Sequence, residues 1–168
     1  MSPSYLYKIA TVGPQAVGKT SLILRYTTGV FRDYYAPTLG ADFAVKKLNF
    51  DDTKVKLQVW DLGSQDFLGG VRKNFYAGAK GVVFVFDVTR PITLERLQDW
   101  KREVDTHLRG YKALVVANKT DLIERRKITT EEGKALAEEF RGEYLETSVK
   151  LNQHVDETFL TITKMIME

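Results

Sequence analysis

Eight consecutive residues, Gly13-Pro14-Gln15-Ala16-Val17-Gly18-Lys19-Thr20, fit the pattern G-x-x-x-x-G-K-[ST] and stand between a strand-like and a helix-like segment. Tyr5–Val12 alternates and ends in β-formers, Gly13 and Pro14 break it, and Lys19–Tyr26 reads as a helix closed by Thr27-Thr28-Gly29. The result is strand, turn, helix, with a loop whose backbone N–H groups wrap phosphate. Gly13 and Gly18 let the chain curl close to an anion, and the start of the helix adds partial positive charge. Lys19 neutralises β and γ phosphates, and the Thr20 hydroxyl is the ligand for Mg²⁺. Gln15, Ala16, Val17 and Ser21 complete the expected phosphate-binding set.

The rest of the chain continues the alternation. Phe43–Phe50 and Lys54–Trp60 are strand-like and joined by the turn Asp51-Asp52-Thr53, so they pair antiparallel. Residues 30–42 and 61–70 show no clean period. Gly81–Asp87 is apolar on both faces, as a central parallel strand requires. Leu94, Leu97, Trp100, Val104 and Leu108 fall at steps of three and four, predicting a core-facing helix from near Thr93. Ala113–Ala117 is a buried strand, and Thr129 with Glu132 is a capping box opening a helix through Phe140. Tyr144–Thr147 is a short strand, and Val155, Phe159, Ile162 and Ile166 mark a last helix. Together these predict a three-layer α/β domain of the P-loop NTPase kind. Its sheet has six strands, mostly parallel with one antiparallel strand, and carries helices on both faces. At 168 residues the chain has room for one such domain, spanning 1–168.

Composition removes several classes of function. With no cysteine there is no disulfide, thiolate metal site, cysteine nucleophile or cysteine lipidation. The start lacks a signal-peptide core, no apolar run suits a membrane span, and the net charge of +3 is interspersed. The expectation is a cytoplasmic monomer with no nucleic acid partner, and with membrane attachment not encoded in this chain. Arg125-Arg126-Lys127 reads as a solvated loop without function, His107 and His154 as surface or helix-end histidines, and Asp51-Asp52 as a turn.

Two further elements define the ligand. Asn118-Lys119-Thr120-Asp121 follows the Ala113–Ala117 strand, where the Asp121 carboxylate accepts from N1–H and the exocyclic amine of guanine. Adenine offers neither donor, and an unmatched buried acceptor costs roughly 1–3 kcal/mol. Asp61, ending the Lys54–Trp60 strand, is placed to hold Mg²⁺ through a water. Gln65, four residues on, is placed to orient the water that attacks the γ phosphate.

These elements, in this order over essentially the whole chain, resemble a Ras-superfamily small GTPase of the Rab-like branch. Thr38-Leu39-Gly40-Ala41-Asp42-Phe43, Lys56-Leu57-Gln58-Val59-Trp60-Asp61 and Phe75-Tyr76-Ala77-Gly78-Ala79 carry the Rab-like part. The resemblance implies a switch that binds GTP and GDP with Mg²⁺ and meets effector, exchange factor and GTPase-activating proteins through its switch loops. It implies Thr38 as ligand to Mg²⁺ and γ phosphate, Phe31 packing on guanine, and Tyr35 closing over the phosphates. Ser148-Val149-Lys150 resembles the fifth guanine motif, with the Val149 N–H meeting the guanine carbonyl and Lys119 and Lys150 flanking the base.

The chain departs from the family in two places. Ser64 stands where D-x-x-G has the glycine whose N–H senses the γ phosphate, and Gln15 stands where many relatives have glycine or a small residue. Both lead to the expectation of slow hydrolysis. They keep open a second reading, a hydrolysis-impaired GTP-binding adaptor.

Overall fold

A computed structural model describes residues 3–32, 41–63 and 69–168. The elements run β1 (Ser4–Val12), α1 (Lys19–Thr28), β2 (Ala41–Phe50), β3 (Thr53–Leu62), α2 (Gly69–Tyr76), β4 (Ala79–Asp87), α3 (Pro91–His107), β5 (Lys112–Asn118), α4 (Thr130–Glu139), β6 (Glu143–Glu146) and α5 (Val155–Met167). The strands form one sheet in the order β2-β3-β1-β4-β5-β6. Among the described strands β2 alone runs against its neighbour, with Asn49 opposite Lys54 and Phe50 opposite Thr53 across the predicted turn. The six-stranded, mostly parallel sheet is therefore the one the sequence predicts.

Alternation of side chains on the buried strands splits the interior into two cores. Val82, Phe84 and Phe86 of β4 face one side with Leu97, Trp100 and Val104 of α3 and Leu136 of α4. Val83 and Val85 face the other with Leu22 and Tyr26 of α1 and Phe159 and Ile162 of α5. A strand buried on both faces reads as an unbroken apolar run for this reason. From β1 the chain winds first to β3 and then back to β4. The loop after β1 thus sits where the winding reverses, the place such sheets bind ligands.

Two elements differ from the sequence reading for physical reasons. The helix expected near Thr93 begins at Pro91, which tolerates the first helical position because its missing N–H has no partner to lose. Thr93 is buried instead, accepting from the Asp87 N–H at 3.0 Å. The capping box at Thr129 and Glu132 is present. The segment 69–76, not recognised as helical, is α2. Beside Phe75 and the ring of Tyr76, which pack into the core, its inward anchors are polar: Arg72 grips Glu103 of α3 through two contacts of 2.8 and 3.0 Å, and the Tyr76 hydroxyl donates to the same carboxylate. Apolar periodicity cannot register a helix docked this way. Burial opposes ionisation of Glu103, but these donors hold its carboxyl below the ordinary value.

Arg126, read as part of a solvated loop, is instead ion-paired with Glu146 at 2.6 Å and also donates to the Ile128 carbonyl at 2.7 Å. Donation from Arg126, against some burial cost and with help from Thr130 and Tyr144, pulls the Glu146 carboxyl down to about 2. Because the folded value lies below the unfolded one, this contribution is complete above about pH 4.5. It is lost as pH falls toward 2. Glu146→Gln is expected to destabilise the chain by about 1–2 kcal/mol at pH 7, with the difference shrinking between pH 4.5 and 2 in urea titrations.

Candidate nucleotide-binding site

The loop between β1 and α1 takes a shape that only particular residues permit. Gly13 has φ 147° and Gly18 has φ 106°. A β-carbon at Gly13 would stand 2.3 Å from the Val85 carbonyl oxygen, and one at Gly18 would stand 2.3 Å from Asn118 Nδ2. The two glycines therefore serve close approach to β4 and to the Asn118 side chain as well as curvature around an anion.

Side chains from two other loops fix the peptides between. Asn118 Nδ2 donates to the Val17 carbonyl at 2.9 Å, Lys119 Nζ to the Ala16 carbonyl at 2.8 Å, and Arg90 Nη1 to the Gln15 carbonyl at 3.1 Å. In a planar trans peptide the C=O and the following N–H point in opposite directions. The N–H groups of Ala16, Val17 and Gly18 therefore point away from these partners, into the curl of the loop. The Val17 side chain itself is in the core. Lys19 Nζ lies over the loop, donating to the carbonyls of Gly13 at 2.7 Å and Pro14 at 2.9 Å. Burial pushes its ammonium down to about 8, against the pull of Asp61 and with a further lowering from Arg72. A phosphate dianion beside it favours the charged form further.

Lys119 is itself held. It adopts φ 72° and pairs with Asp87 Oδ2 at 3.0 Å, while Asp87 Oδ1 accepts from the Thr89 N–H and hydroxyl. Asp87, buried at the end of β4, went unrecognised in the sequence although its place at the carboxyl end of a strand was a usable signal. Asn118 Oδ1 accepts from the Thr147 hydroxyl at 3.0 Å and from the Val149 N–H at 3.3 Å. The Val149 N–H, expected to meet a base carbonyl, is thus directed to Asn118 in this arrangement. The next peptide N–H, that of Lys150, lies on the opposite side of its peptide from the Val149 carbonyl. The Ser148 hydroxyl donates to Asp121 Oδ1 at 2.8 Å, fixing the carboxylate.

These loops enclose a cavity of about 340 Å³. Ala16, Gly18, Lys19, Thr20 and Ser21 wall one end, and Phe31, Asn118, Lys119, Asp121, Val149 and Lys150 the other. Gly13, Gln15, Val17 and Ser148 do not line it. Gln15 borders a neighbouring cavity with Arg72, Arg90, Trp100 and Glu103. Arg32, Leu62, Gly63, Leu122 and Arg125 line the main cavity without having been singled out. Arg125 belongs to the basic run given no function. Tyr35, Thr38, Ser64 and Gln65 lie outside the described residues.

A magnesium ion suits the donors present. The Thr20 hydroxyl contacts the Asp61 carboxylate, Asp61 being buried at the end of β3. A hydroxyl and a carboxylate are hard oxygen ligands, and Mg²⁺ takes the rest of its octahedral shell from water and phosphate.

The sheet order, the loop after β1 and the convergence of the loops after β4, β5 and β6 define the G domain of a P-loop NTPase. The family model described as "Ras family" matches residues 8–168, and the chain belongs to that family. It is 39% identical to "Ras-related protein RabC" of Dictyostelium discoideum, over 95% of this chain and 83% of the relative. It is 36% identical to "GTP-binding protein yptV2" of Volvox carteri, over 98% and 78%, and 32% identical to human "Ras-related protein Rab-8B", over 97% and 79%. Within the family it is Rab-like. It is accordingly a small GTPase, a GTP-binding switch and GTP hydrolase.

Gly13→Ala is expected to cost on the order of 3 kcal/mol in chemical denaturation, because its β-carbon meets backbone of a buried strand that cannot move aside.

Proposed function

We propose that residues 1–168 act as a single G domain whose main cavity holds GTP or GDP. The phosphates lie in the loop 13–20, and the guanine lies between Lys119 and Lys150 with Phe31 beside it. Asp121 accepts from the two guanine donors. The observation that carries this reading is the turning outward of three consecutive loop carbonyls by Arg90, Lys119 and Asn118, which leaves main-chain donors for an anion. Lys19 neutralises the β and γ phosphates. Thr20, Thr38 and Asp61 would hold Mg²⁺, and the ion when bound would neutralise charge on the phosphate oxygens.

Hydrolysis is in-line attack by a water that Gln65 orients, and its rate comes from positioning and charge neutralisation. The intrinsic rate is slow, since the long amide of Gln15 crowds Gln65 or an arginine supplied by an activating protein, and Ser64 stiffens the hinge of the second switch loop. The γ phosphate holds Thr38 and the N–H of Ser64. Its loss releases both switch loops and the partners that read them, namely effector, exchange factor and activating proteins. Beside those loops Phe43, which is 48% exposed, stacks on Trp60 at 4.7 Å and Trp60 meets Phe75 at 5.4 Å, giving an aromatic surface suited to a partner. Among the described residues no helix is long and apolar enough to cross a membrane. The proposed setting is Rab-like membrane trafficking at a cytosolic face. The protein works as a monomer, with attachment supplied from outside these residues or by a partner, and without nucleic acid.

Gln15 and Ser64 also favour a second reading, in which the chain binds guanine nucleotide as an adaptor with hydrolysis impaired.

Chromatography of nucleotide released from purified protein should show GDP, and excess ATP should not displace it. Asp121→Ala should weaken GDP binding by about 10- to 100-fold in calorimetry. In single-turnover assays Gln15→Gly and Ser64→Gly are expected to raise the rate of GTP hydrolysis with nucleotide still bound. Unchanged rates would clear both residues of any braking role.

A further inference from the structure

Arg25, in the last turn of α1, lines neither cavity, and the site as described makes no use of it. Its guanidinium is nonetheless spent entirely on main chain around the base end of the cavity. Nε donates to the Val149 carbonyl at 3.1 Å, Nη2 to the Lys150 carbonyl at 2.8 Å, and Nη1 to the Gly29 carbonyl at 2.8 Å. The same group lies 5.8 Å from the centre of the Phe31 ring. One planar cation therefore joins the segment 149–150 on one wall of the cavity to the segment 29–31 on the other, although 124 residues separate Arg25 from Val149.

We infer that Arg25 is a positioning residue for guanine, which sets the Lys150 N–H and the Phe31 ring where the base is held; this rests on the reading that the cavity takes a guanine nucleotide. Holding the Val149 carbonyl against α1 turns the N–H of the same peptide, that of Lys150, toward the other side, and Lys150 lines the cavity. The Val149 N–H is engaged by Asn118. The orientation of the Lys150 peptide therefore decides whether a donor faces the guanine carbonyl. The fork geometry matters: a guanidinium presents several donors in one plane and can bridge three carbonyls, whereas an ammonium is a compact point donor on a flexible stem. Arg25 bonds none of the residues of the phosphate loop in this arrangement, so its effect should fall on nucleotide retention and leave the chemistry at the γ phosphate alone.

The test compares wild type, Arg25→Met and Arg25→Lys, each loaded with GDP or GTP in Mg²⁺. The readouts are release of labelled GDP and single-turnover hydrolysis of bound GTP. Arg25→Met is expected to release GDP about 10- to 100-fold faster, reflecting loss of charge-assisted hydrogen bonds. Arg25→Lys should fall between the two, and hydrolysis of GTP that stays bound should remain within twofold of wild type. A merely structural role predicts instead that release and hydrolysis deteriorate together, and that outcome overturns the inference. GDP release from Arg25→Met at the wild-type rate also overturns it, with the assignment of the cavity left standing. A wild-type protein that does not retain GDP overturns the cavity assignment and this inference with it. If Arg25→Met does not fold, Arg25→Lys carries the same comparison.

Discussion

The site depends on the orientation of a few peptide units. A loop between a strand and a helix has no intrinsic reason to aim its amides inward, since each N–H and C=O is free to seek whatever partner is near. Here the carbonyls of Gln15, Ala16 and Val17 are claimed by Arg90, Lys119 and Asn118. The amides have no choice but the other side. Asn118 also accepts from Thr147 and Val149, so one amide side chain ties the phosphate end of the site to the loop after β6. The motif residues form a mutually bonded set in which the ligand completes an existing arrangement.

The sheet makes that set possible. Parallel strands deliver all their carboxyl ends to one edge, so the loops after β1, β4, β5 and β6 meet there even though their residues are far apart in the chain. The core beneath them is apolar on both faces and closely packed. Support for the polar residues is graded: Lys119 leans on Asp87, Asp87 on Thr89, and Asp121 on Ser148. Arg25 does for the base-end backbone what Asn118 and Lys119 do for the phosphate loop.

Most of the architecture could be read from the sequence because the signals were local. The apolar run Val82–Phe86, the turn at Asp51-Asp52-Thr53 and the box at Thr129 and Glu132 each state their own conformation. So did the glycine-bounded and Asn-Lys-x-Asp motifs, of which Ala16, Gly18, Lys19, Thr20, Asn118, Lys119 and Asp121 line the cavity. What escaped was carried by contacts across the chain. Helix α2 is fastened by Arg72 to a glutamate on α3, Arg126 is fastened to Glu146, and Arg25 is fastened to carbonyls more than a hundred positions away. Arginine between unrelated segments leaves no periodic trace. The bond from the Val149 N–H to Asn118 leaves no trace in the sequence for the same reason.

Strand β4 contributes alternate side chains to two separate interiors, Val82, Phe84 and Phe86 to one and Val83 and Val85 to the other. Inserting a single residue in its middle would send every later side chain through to the wrong compartment, forcing phenylalanines into space shaped for valines and leaving hollows behind. The chain can therefore lengthen or shorten at its hairpin and helix ends with modest consequence. The spacing from Gly81 to Asp87, by contrast, behaves as a fixed ruler against which both halves of the molecule are measured.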